Sequence, residues 1–291
     1  MQTKHILSAA VAVASLAGAA FAGTKAQIVQ PTPVAPAECA LSGEVYAGYV
    51  TNYTCRGIVA SHALVEGDSV IPVGVALNYK LDDADAIVAS IDYNILTSGH
   101  DLMGYDYSDI HNELDIKLGW ENKNGLVDGL TTTAGWNLVY GGLLGHLANI
   151  KNAHSVTQEF YVNANYDINE NWFAGITTSY AFQGVTGWWF QPYVGYKTAV
   201  CDCADVVVTA GMSATAGYFD ALMANANGAQ AWWLQAEMPI KVGVENLTVS
   251  PFVSLNWAGC GALKANKGLD KGWKPYKNFG VVAGAKVSYS F

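Results

Sequence analysis

The sequence has 291 residues, of which 51% are hydrophobic and 13% charged, and its 24 acidic side chains outnumber its 15 basic ones for a net charge of −9. This acidic balance argues against nucleic-acid binding, which normally requires a basic surface. Beyond the amino-terminal segment no run of about 18 apolar residues is present, which excludes a conventional membrane-spanning helix there.

The amino-terminal residues form a pattern typical of a secretory signal peptide. Lys4 precedes an apolar run from Ile6 to Ala19, and Ala20-Phe21-Ala22 follows as a small-x-small cleavage site. We therefore predict a signal peptide over residues 1–22 that is removed on export. Residues 23–40 contain three prolines and little periodicity, which indicates an extended periplasmic leader.

Residues 41–291 show the period of two that is typical of β-strands. Most of the predicted strands are close to the ~9–11 residues that a tilted strand needs to cross a bilayer. The twelve predicted strands cover residues 41–53, 70–81, 86–96, 112–121, 130–140, 156–166, 172–182, 188–200, 206–218, 229–242, 247–257 and 279–291.

The connections between these strands alternate in length. Short turns follow the even-numbered strands, and mostly long connections follow the odd-numbered ones, with 183–187 as the exception. Short periplasmic turns and longer extracellular loops characterise outer-membrane barrels with an even number of strands. We predict an all-β fold, a transmembrane antiparallel up-and-down β-barrel of about 12 strands over residues 41–291, with both termini in the periplasm. A secreted β-sandwich is the alternative within the all-β class.

The parity of residues within the strands predicts which side chains face lipid and which face the lumen. Outward aromatic residues then collect into a belt at each end of the strands. The predicted periplasmic belt contains Tyr79, Trp120, Tyr166, Trp172, Tyr196, Tyr289 and Phe291, and the outer belt contains Tyr53, Trp136, Tyr140, Phe182, Trp188, Tyr218, Trp232, Trp257 and Phe279. The charged residues of the opposite face are the pore-lining candidates: Glu44, Lys80, Asp92, Glu113, Asp115, Lys117, Glu159, Lys197, Glu237, Lys241 and Lys286.

The first predicted strand and the loop after it carry a family resemblance. Leu41-Ser42-Gly43-Glu44-Val45, followed by Thr51-Asn52-Tyr53-Thr54-Cys55-Arg56-Gly57-Ile58, resembles the opening of the TorF-type porins. In that family a similar Ser-Gly step leads into a Ser/Thr-Asn/Asp-Tyr-x-x-Arg-Gly-hydrophobic segment, with a larger residue where this chain has Cys55. The resemblance implies an outer-membrane channel of undefined substrate and draws attention to Arg56 and Gly57.

The last seven residues, Ala285 to Phe291, form an alternating strand that stops on an aromatic side chain. This ending resembles the insertion signal of bacterial outer-membrane β-barrel proteins, in which a terminal Phe and a Tyr two residues earlier are typical. The resemblance implies that Tyr289 and Phe291 form an assembly signal read by the barrel-assembly machinery. It also implies localisation in the bacterial outer membrane.

The predicted loops hold further candidates. The last loop carries five lysines that would either meet lipopolysaccharide phosphates, attract anionic solutes or form an ordinary solvated surface: Lys264, Lys267, Lys271, Lys274 and Lys277. The five histidines after the signal peptide all lie in loops assigned to the outside, without the spacing of a zinc protease motif. We predict no metal site and no cofactor.

Five cysteines in an exported protein favour disulfide formation. Closure of the barrel brings the first and last loops together, so Cys55 and Cys260 are the first pair to test. On the periplasmic side Cys39 has two possible partners, Cys201 and Cys203, which could also bond to each other.

A twelve-stranded barrel lies between the filled eight-stranded barrel and the open sixteen-stranded porin. We predict a porin-like outer-membrane channel for passive diffusion of small polar solutes through a mixed-charge lumen, in contact with outer-membrane lipid and lipopolysaccharide. The alternative is a structural or adhesive barrel with a plugged lumen whose extracellular loops bind a partner. A lipid-modifying barrel enzyme is less favoured, because the adjacent His154 and Ser155 would point to opposite faces of a strand. The sequence does not define the oligomeric state.

Overall fold

The structure, a computed structural model, describes residues 40–52, 54–55, 58–59, 69–97, 112–123, 127–142, 156–218, 227–261 and 279–291. The predicted signal peptide and all of the predicted leader except its last residue lie outside the described residues. Within the described ranges no helix has the length and apolarity that a bilayer crossing requires.

The described chain is built almost entirely from β-strands. In chain order they are β1 (Leu41–Val50), β2 (Thr54–Cys55), β3 (Ile58–Val59), β4 (Val70–Lys80), β5 (Asp85–Leu96), β6 (Glu113–Lys123), β7 (Leu130–Tyr140), β8 (Val156–Asp167), β9 (Trp172–Gln183), β10 (Gly187–Cys201), β11 (Ala204–Ala216), β12 (Gly228–Glu237), β13 (Ile240–Lys241), β14 (Leu247–Ala258) and β15 (Phe279–Ser290). Strands β2, β3 and β13 have two residues each, and the other twelve are long.

The twelve long strands form a closed antiparallel barrel. Each pairs with its neighbours in the chain, and β1 pairs with β15 to complete the ring. Closure leaves no long strand with an unpaired edge, so the backbone groups of the wall are satisfied within the sheet. The predicted fold class and strand number are confirmed, and most predicted strand ends lie within a few residues of the observed ones.

The two ends of the barrel differ in their connections. The short-turn end carries the turns 81–84, 124–129, 168–171, 202–203 and 242–246 together with the start of β1 and the end of β15. The long-loop end carries the remaining connections, at 51–69, 97–112, 141–155, 184–186, 217–227 and 259–278. The predicted alternation of turn and loop lengths is therefore confirmed, while the assignment of the short-turn end to the periplasm stays a prediction.

Apolar side chains that alternate along each strand are exposed on the outer face. Examples that lie between the two ends are Ile91, Leu118, Phe160, Val162, Val253 and Val281. Aromatic residues of both predicted belts are exposed as well: Tyr79, Trp120, Tyr166, Trp172, Tyr289 and Phe291 towards the short-turn end, and Tyr140, Phe182, Trp188, Trp232, Trp257 and Phe279 towards the long-loop end. An apolar outer face bounded by aromatic residues is the pattern of a membrane-spanning barrel.

The predicted outward position of Tyr218 is wrong. Strand β11 ends at Ala216, and Gly217 follows with φ of 78°, which turns the chain out of the extended conformation. Tyr218 is therefore completely buried, and its hydroxyl donates a hydrogen bond to Glu159. Alternation predicts a facing direction only as long as the strand continues.

Three prolines lie inside long strands, Pro72 of β4, Pro192 of β10 and Pro251 of β14, and each lies beside an interruption of the regular pairing. The ladder between β1 and β4 skips the positions at Ile71 and Pro72. The ladder between β10 and β11 skips the positions at Gln191 and Pro192. Pro251 lies beside the break between β12 and β13, where its carbonyl accepts from Met238 at 3.0 Å. Proline has no backbone N–H to donate, and all three prolines occur beside a gap in one of the two ladders of their strand.

Candidate functional site in the barrel lumen

A cavity of about 770 Å³ lies inside the barrel. Its lining comes from nine strands, β1, β4 to β10 and β15, so it must occupy the interior of the closed ring. About half of its lining residues have neutral polar side chains, among them Ser42, Asn78, Ser90, Thr133 and Thr177, and most of the others are apolar. Its lining extends from Ser42 and Ser290, near the short-turn end, to Asn137, Ser179 and Trp189, nearer the long-loop end.

A second cavity of about 320 Å³ lies on the opposite side of the interior. It is lined by residues of β1, β10, β11, β12, β14 and β15, including Thr209, Gln235 and Ser254. Most residues that bound the two cavities have the inward parity of their strands, whereas Gly43, Leu77, Ala89 and Phe291 of the first cavity have the outward parity. The inner face therefore carries polar side chains alongside apolar ones, and the outer face is apolar.

Four of the predicted pore-lining residues form two ion pairs on the inner face. The Lys286 ammonium lies 3.0 Å from a carboxylate oxygen of Glu44 and 5.4 Å from the centre of the Tyr46 ring. The Lys117 ammonium lies 3.6 Å from a carboxylate oxygen of Asp92, which also accepts a hydrogen bond from the Tyr46 hydroxyl. The first pair joins β1 to β15 across the line where the barrel closes, and the second joins the neighbouring strands β5 and β6.

Three further predicted acids lie deeper in the wall towards the long-loop end. Asp115 is directly opposite Asp92 in the β5–β6 register. Glu113 is buried and accepts from the Asn94 amide at 3.1 Å. Glu159 is fully buried and accepts hydrogen bonds from Tyr218 and, at 3.4 Å, from the Asn137 amide.

The remaining predicted residues lie near the short-turn end. Lys80 pairs with Asp83 of the adjoining turn at 3.0 Å, and Lys197 lies 3.8 Å from Asp167. Glu237 is opposite Val207 and Phe252 in register, and Lys241 is exposed at the end of β13. The structure thus does not gather all eleven charged residues into one ring.

Sequence analysis missed Glu121 as a residue of the cavity wall. Its carboxylate lies 3.1 Å from the Lys123 ammonium and accepts from the Asn78 amide at 3.2 Å. The alternation that places Trp120 outside already implies an inward position 121. Glu121 is the last residue of the predicted strand 112–121, so applying the alternation to the end of that strand would have identified it.

Aromatic rings on the inner face lie against glycines of neighbouring strands, a feature that parity alone does not predict. A Cβ atom added to Gly74 would lie 2.6 Å from the Tyr46 ring, and one added to Gly211 would lie 2.5 Å from the Trp233 ring. The same arrangement occurs for Tyr161 with Gly119 and Gly135, Tyr193 with Gly175, Phe173 with Gly195 and Phe252 with Gly284. Because glycine has no side chain, the rings can lie directly against the barrel wall at these positions. Part of the interior volume therefore stays unfilled.

The carboxyl terminus is paired, as the sequence predicts. The backbone N–H of Phe291 donates to Gly43 and the N–H of Gly43 donates to Phe291, both at 2.9 Å. The Phe291 ring lies beside Gly43, and about half of its surface is exposed, as is that of Tyr289. Phe291 therefore closes the ladder between the first and last strands at the short-turn end.

Several predicted sites lie outside the described residues. These are Arg56, the five loop lysines Lys264, Lys267, Lys271, Lys274 and Lys277, and the five histidines. The side chain of Cys55 is also outside them, and Cys260 carries a free thiol, as do Cys201 and Cys203. The disulfide between Cys55 and Cys260 is not shown and stays a prediction.

Comparisons with known proteins find similar folds but no related sequence. No protein-family profile and no curated protein sequence matches this chain. Among solved structures, the KdgM porin has 8% identity and a TM-score of 0.47 over 85% of this chain and 99% of its own, and the NanC porin has 12% and 0.45 over 86% and 98%. LpxR from Salmonella typhimurium has 9% identity and a TM-score of 0.46 over 84% and 99%. Identities this low assign no function.

Proposed function

We propose that the protein is an outer-membrane channel for passive diffusion of small polar solutes, porin-like, with a mixed-charge lumen. The observation that carries the proposal is the 770 Å³ cavity, lined by polar and charged side chains together with apolar ones, inside a closed barrel whose outer face is apolar. A polar lumen offers solutes hydrogen-bonding groups in place of water, whereas the outer face suits lipid. Both termini would then lie in the periplasm, at the short-turn end.

A plugged structural or adhesive barrel is the second candidate, and one group of residues favours it. Val185, Tyr218 and Gln230, at the long-loop end, are almost completely buried together with Glu159. If this group blocks the lumen, the barrel would present its loops to a partner without conducting. A lipid-modifying enzyme would require a histidine, and every histidine of the chain lies outside the described residues.

Conductance across planar bilayers separates the two candidates. The mature protein, refolded and checked for heat-modifiable migration, should give discrete current steps in potassium chloride. Vesicles containing it should swell in isosmotic solutions of small polar solutes. A correctly folded barrel that produces neither steps nor swelling would overturn the channel proposal and leave the plugged barrel.

Phe291 is the proposed contact with the barrel-assembly machinery. Its deletion would remove two backbone hydrogen bonds to Gly43 as well as the ring, whereas Phe291→Ala retains the backbone and removes the ring alone. We expect both variants to reduce the amount of folded barrel in cells while leaving the conductance of inserted molecules unchanged. Normal insertion of the deletion variant would contradict the assignment.

A further inference from the structure

We propose that Cys201 and Cys203 form a thiol–disulfide exchange site whose substrate is a disulfide bond of another molecule. The site lies on the turn between β10 and β11, at the short-turn end of the barrel. Both thiols are free and both side chains are exposed, so a disulfide can reach them from the solvent. The proposal goes beyond the channel function and does not depend on it, because it requires only the folded turn.

The path of the backbone brings the two thiols into one tight turn. Cys201 pairs with Ala204 in the ladder, so that Asp202 and Cys203 alone form the turn. The register shifts between Ala199 and Cys201, immediately before the turn. A shift of this kind is a β-bulge, which changes the direction of the neighbouring side chain.

The short strand β13 holds this turn in place. The carbonyl of Cys203 accepts a hydrogen bond from the Lys241 N–H at 2.7 Å, and Ala204 pairs with Ile240. Residues two positions apart have Cα atoms at most about 7 Å apart in an extended chain, and closer together in a turn. A disulfide requires a Cα separation of about 4.4–6.8 Å, so Cys201 and Cys203 can form one with little movement of the strands.

Three of the short turns share one arrangement of hydrogen bonds. The Oδ1 atom of Asp82 accepts from the backbone N–H groups two and three positions later, both at 2.8 Å, and Oδ1 of Asn169 does the same at 2.9 Å. The Cys201 sulfur accepts from the Cys203 thiol and from the N–H groups of Cys203 and Ala204, which are again two and three positions later. A sulfur therefore lies where the other two turns place an acceptor oxygen.

Hydrogen-bond donors around a sulfur favour its thiolate, which is the form that attacks a disulfide. The nearby Asp205 carboxylate acts in the opposite direction, but the three hydrogen bonds have the larger effect. Cys201 is therefore the attacking residue of the pair. Cys203, which donates to it, is the residue that closes the ring.

The exchange takes place in two steps. The Cys201 thiolate attacks one sulfur of the substrate disulfide and forms a mixed disulfide, while the other substrate sulfur leaves as a thiolate and takes up the proton that Cys201 lost. Cys203 then loses its proton and attacks the Cys201 sulfur, so that the bond between the two cysteines forms and the first substrate sulfur leaves with that proton. Two protein thiols are oxidised, and one substrate disulfide is reduced to two thiols.

Reaction with dithiobis(nitrobenzoate), an aromatic disulfide whose released thiolate is coloured, tests the proposal on the reduced mature protein refolded in detergent micelles. In a variant that carries Cys39→Ser, Cys55→Ser and Cys260→Ser, we expect two thionitrobenzoate ions per chain and a final mass lower by two hydrogens, without a bound adduct. A variant that retains Cys260 as its single cysteine is the matched control, because this thiol is also exposed. The control should release one thionitrobenzoate ion and retain the adduct.

Single substitutions in the two-cysteine variant separate the roles of the two thiols, and heat-modifiable migration checks that each barrel is folded. Cys203→Ser should stop at the mixed disulfide, whereas Cys201→Ser should react about three- to tenfold more slowly in the first step, the value of one neutral hydrogen bond. Stable adducts on both cysteines of the pair, or equal rates for the two single variants, would overturn the proposal.

Oxidised glutathione and oxidised protein disulfide isomerase distinguish the source of the substrate disulfide. Faster ring closure with glutathione would identify a small disulfide as the substrate, and faster closure with the isomerase would identify a protein disulfide. Closure with neither would overturn the exchange site. The channel proposal would be unaffected, because conductance does not require these thiols.

Discussion

The two ends of the barrel interior are built from different kinds of contact. The larger cavity reaches the short-turn end, where small side chains such as Ser42 and Ser290 line it. Towards the long-loop end, Tyr218 donates a hydrogen bond to Glu159, Gln230 donates to Thr215, and the side chains of Tyr218, Glu159 and Gln230 are almost completely buried. In the proposed channel, resistance to solutes would therefore be concentrated at this buried group.

The largest effect is expected at the buried end. Tyr218→Ala removes a fully buried ring and its hydrogen bond to Glu159, so we expect a loss of about 3–5 kcal/mol in the free energy of unfolding, together with a larger single-channel conductance. Unfolding by guanidinium and single-channel recording measure the two effects. Tyr140→Ala, at an exposed position of β7, is the control. Unchanged conductance would show that this group is not the constriction.

A smaller effect is expected at the open end from Gly74→Ala. The new methyl group would contact the Tyr46 ring and push it towards the lumen, with a cost of about 1–3 kcal/mol in unfolding free energy and a lower conductance. The same measurements apply. Gly243→Ala, where a Cβ atom has no neighbour within 4 Å, should change neither. Equal behaviour of the two variants would contradict the role assigned to the inner glycines.

Glu44→Gln alters the charge of the open end with little effect on stability. The Glu44–Lys286 pair is part-exposed, so its loss should cost less than about 1 kcal/mol. The unpaired ammonium should shift the reversal potential in a potassium chloride gradient towards anion preference. Glu245→Gln, in an exposed turn, controls for the change in net charge. An unchanged reversal potential would show that this pair does not influence permeating ions.

The smallest effect is expected in the turn between β4 and β5. The backbone N–H groups of Ala84 and Asp85 each donate to the Asp82 carboxylate at 2.8 Å and lower the pKa of Asp82 below its ordinary value. The stabilisation that the Asp82 carboxylate gives to the folded protein is present above the pKa of the unfolded state. It is lost as the pH falls through the lowered pKa of the folded state. Amide-exchange protection of residues 84 and 85 should therefore fall in Asp82→Ala at neutral pH. Asp83→Ala should retain it.

The strand pattern shows how far the sequence predicts the wall. Predicted strand 130–140 coincides with β7, and predicted strand 229–242 corresponds to β12 and β13, separated by a break at Met238 and Pro239. The alternation of inward and outward side chains is a property of a single strand, so it does not depend on the register with the neighbouring strands. Pro239 marks the break within the sequence itself, because proline cannot donate a ladder hydrogen bond, whereas the register of β12 and β13 against β14 is contained in no local pattern.

The candidate site was predicted less completely. Inward parity identified Glu44, Lys117 and Lys286 as residues of the inner face. It did not predict which charges pair, because Glu44 and its partner Lys286 are 242 residues apart in sequence. Asn137, Asn163 and Ser179 carry no charge and belong to no motif, so nothing in the sequence distinguishes them from other polar strand residues. Their place in the cavity wall depends on the pairing of β7, β8 and β9.

By itself, the sequence determined the strands, the apolar outer face and the alternation of turns and loops, because each follows from residue spacing along one segment. The tertiary structure alone decided which strands meet at closure, where Tyr218 turns inward after Gly217, and which rings lie against glycines. These features depend on contacts between distant segments. The shape and polarity of the lumen arise from them.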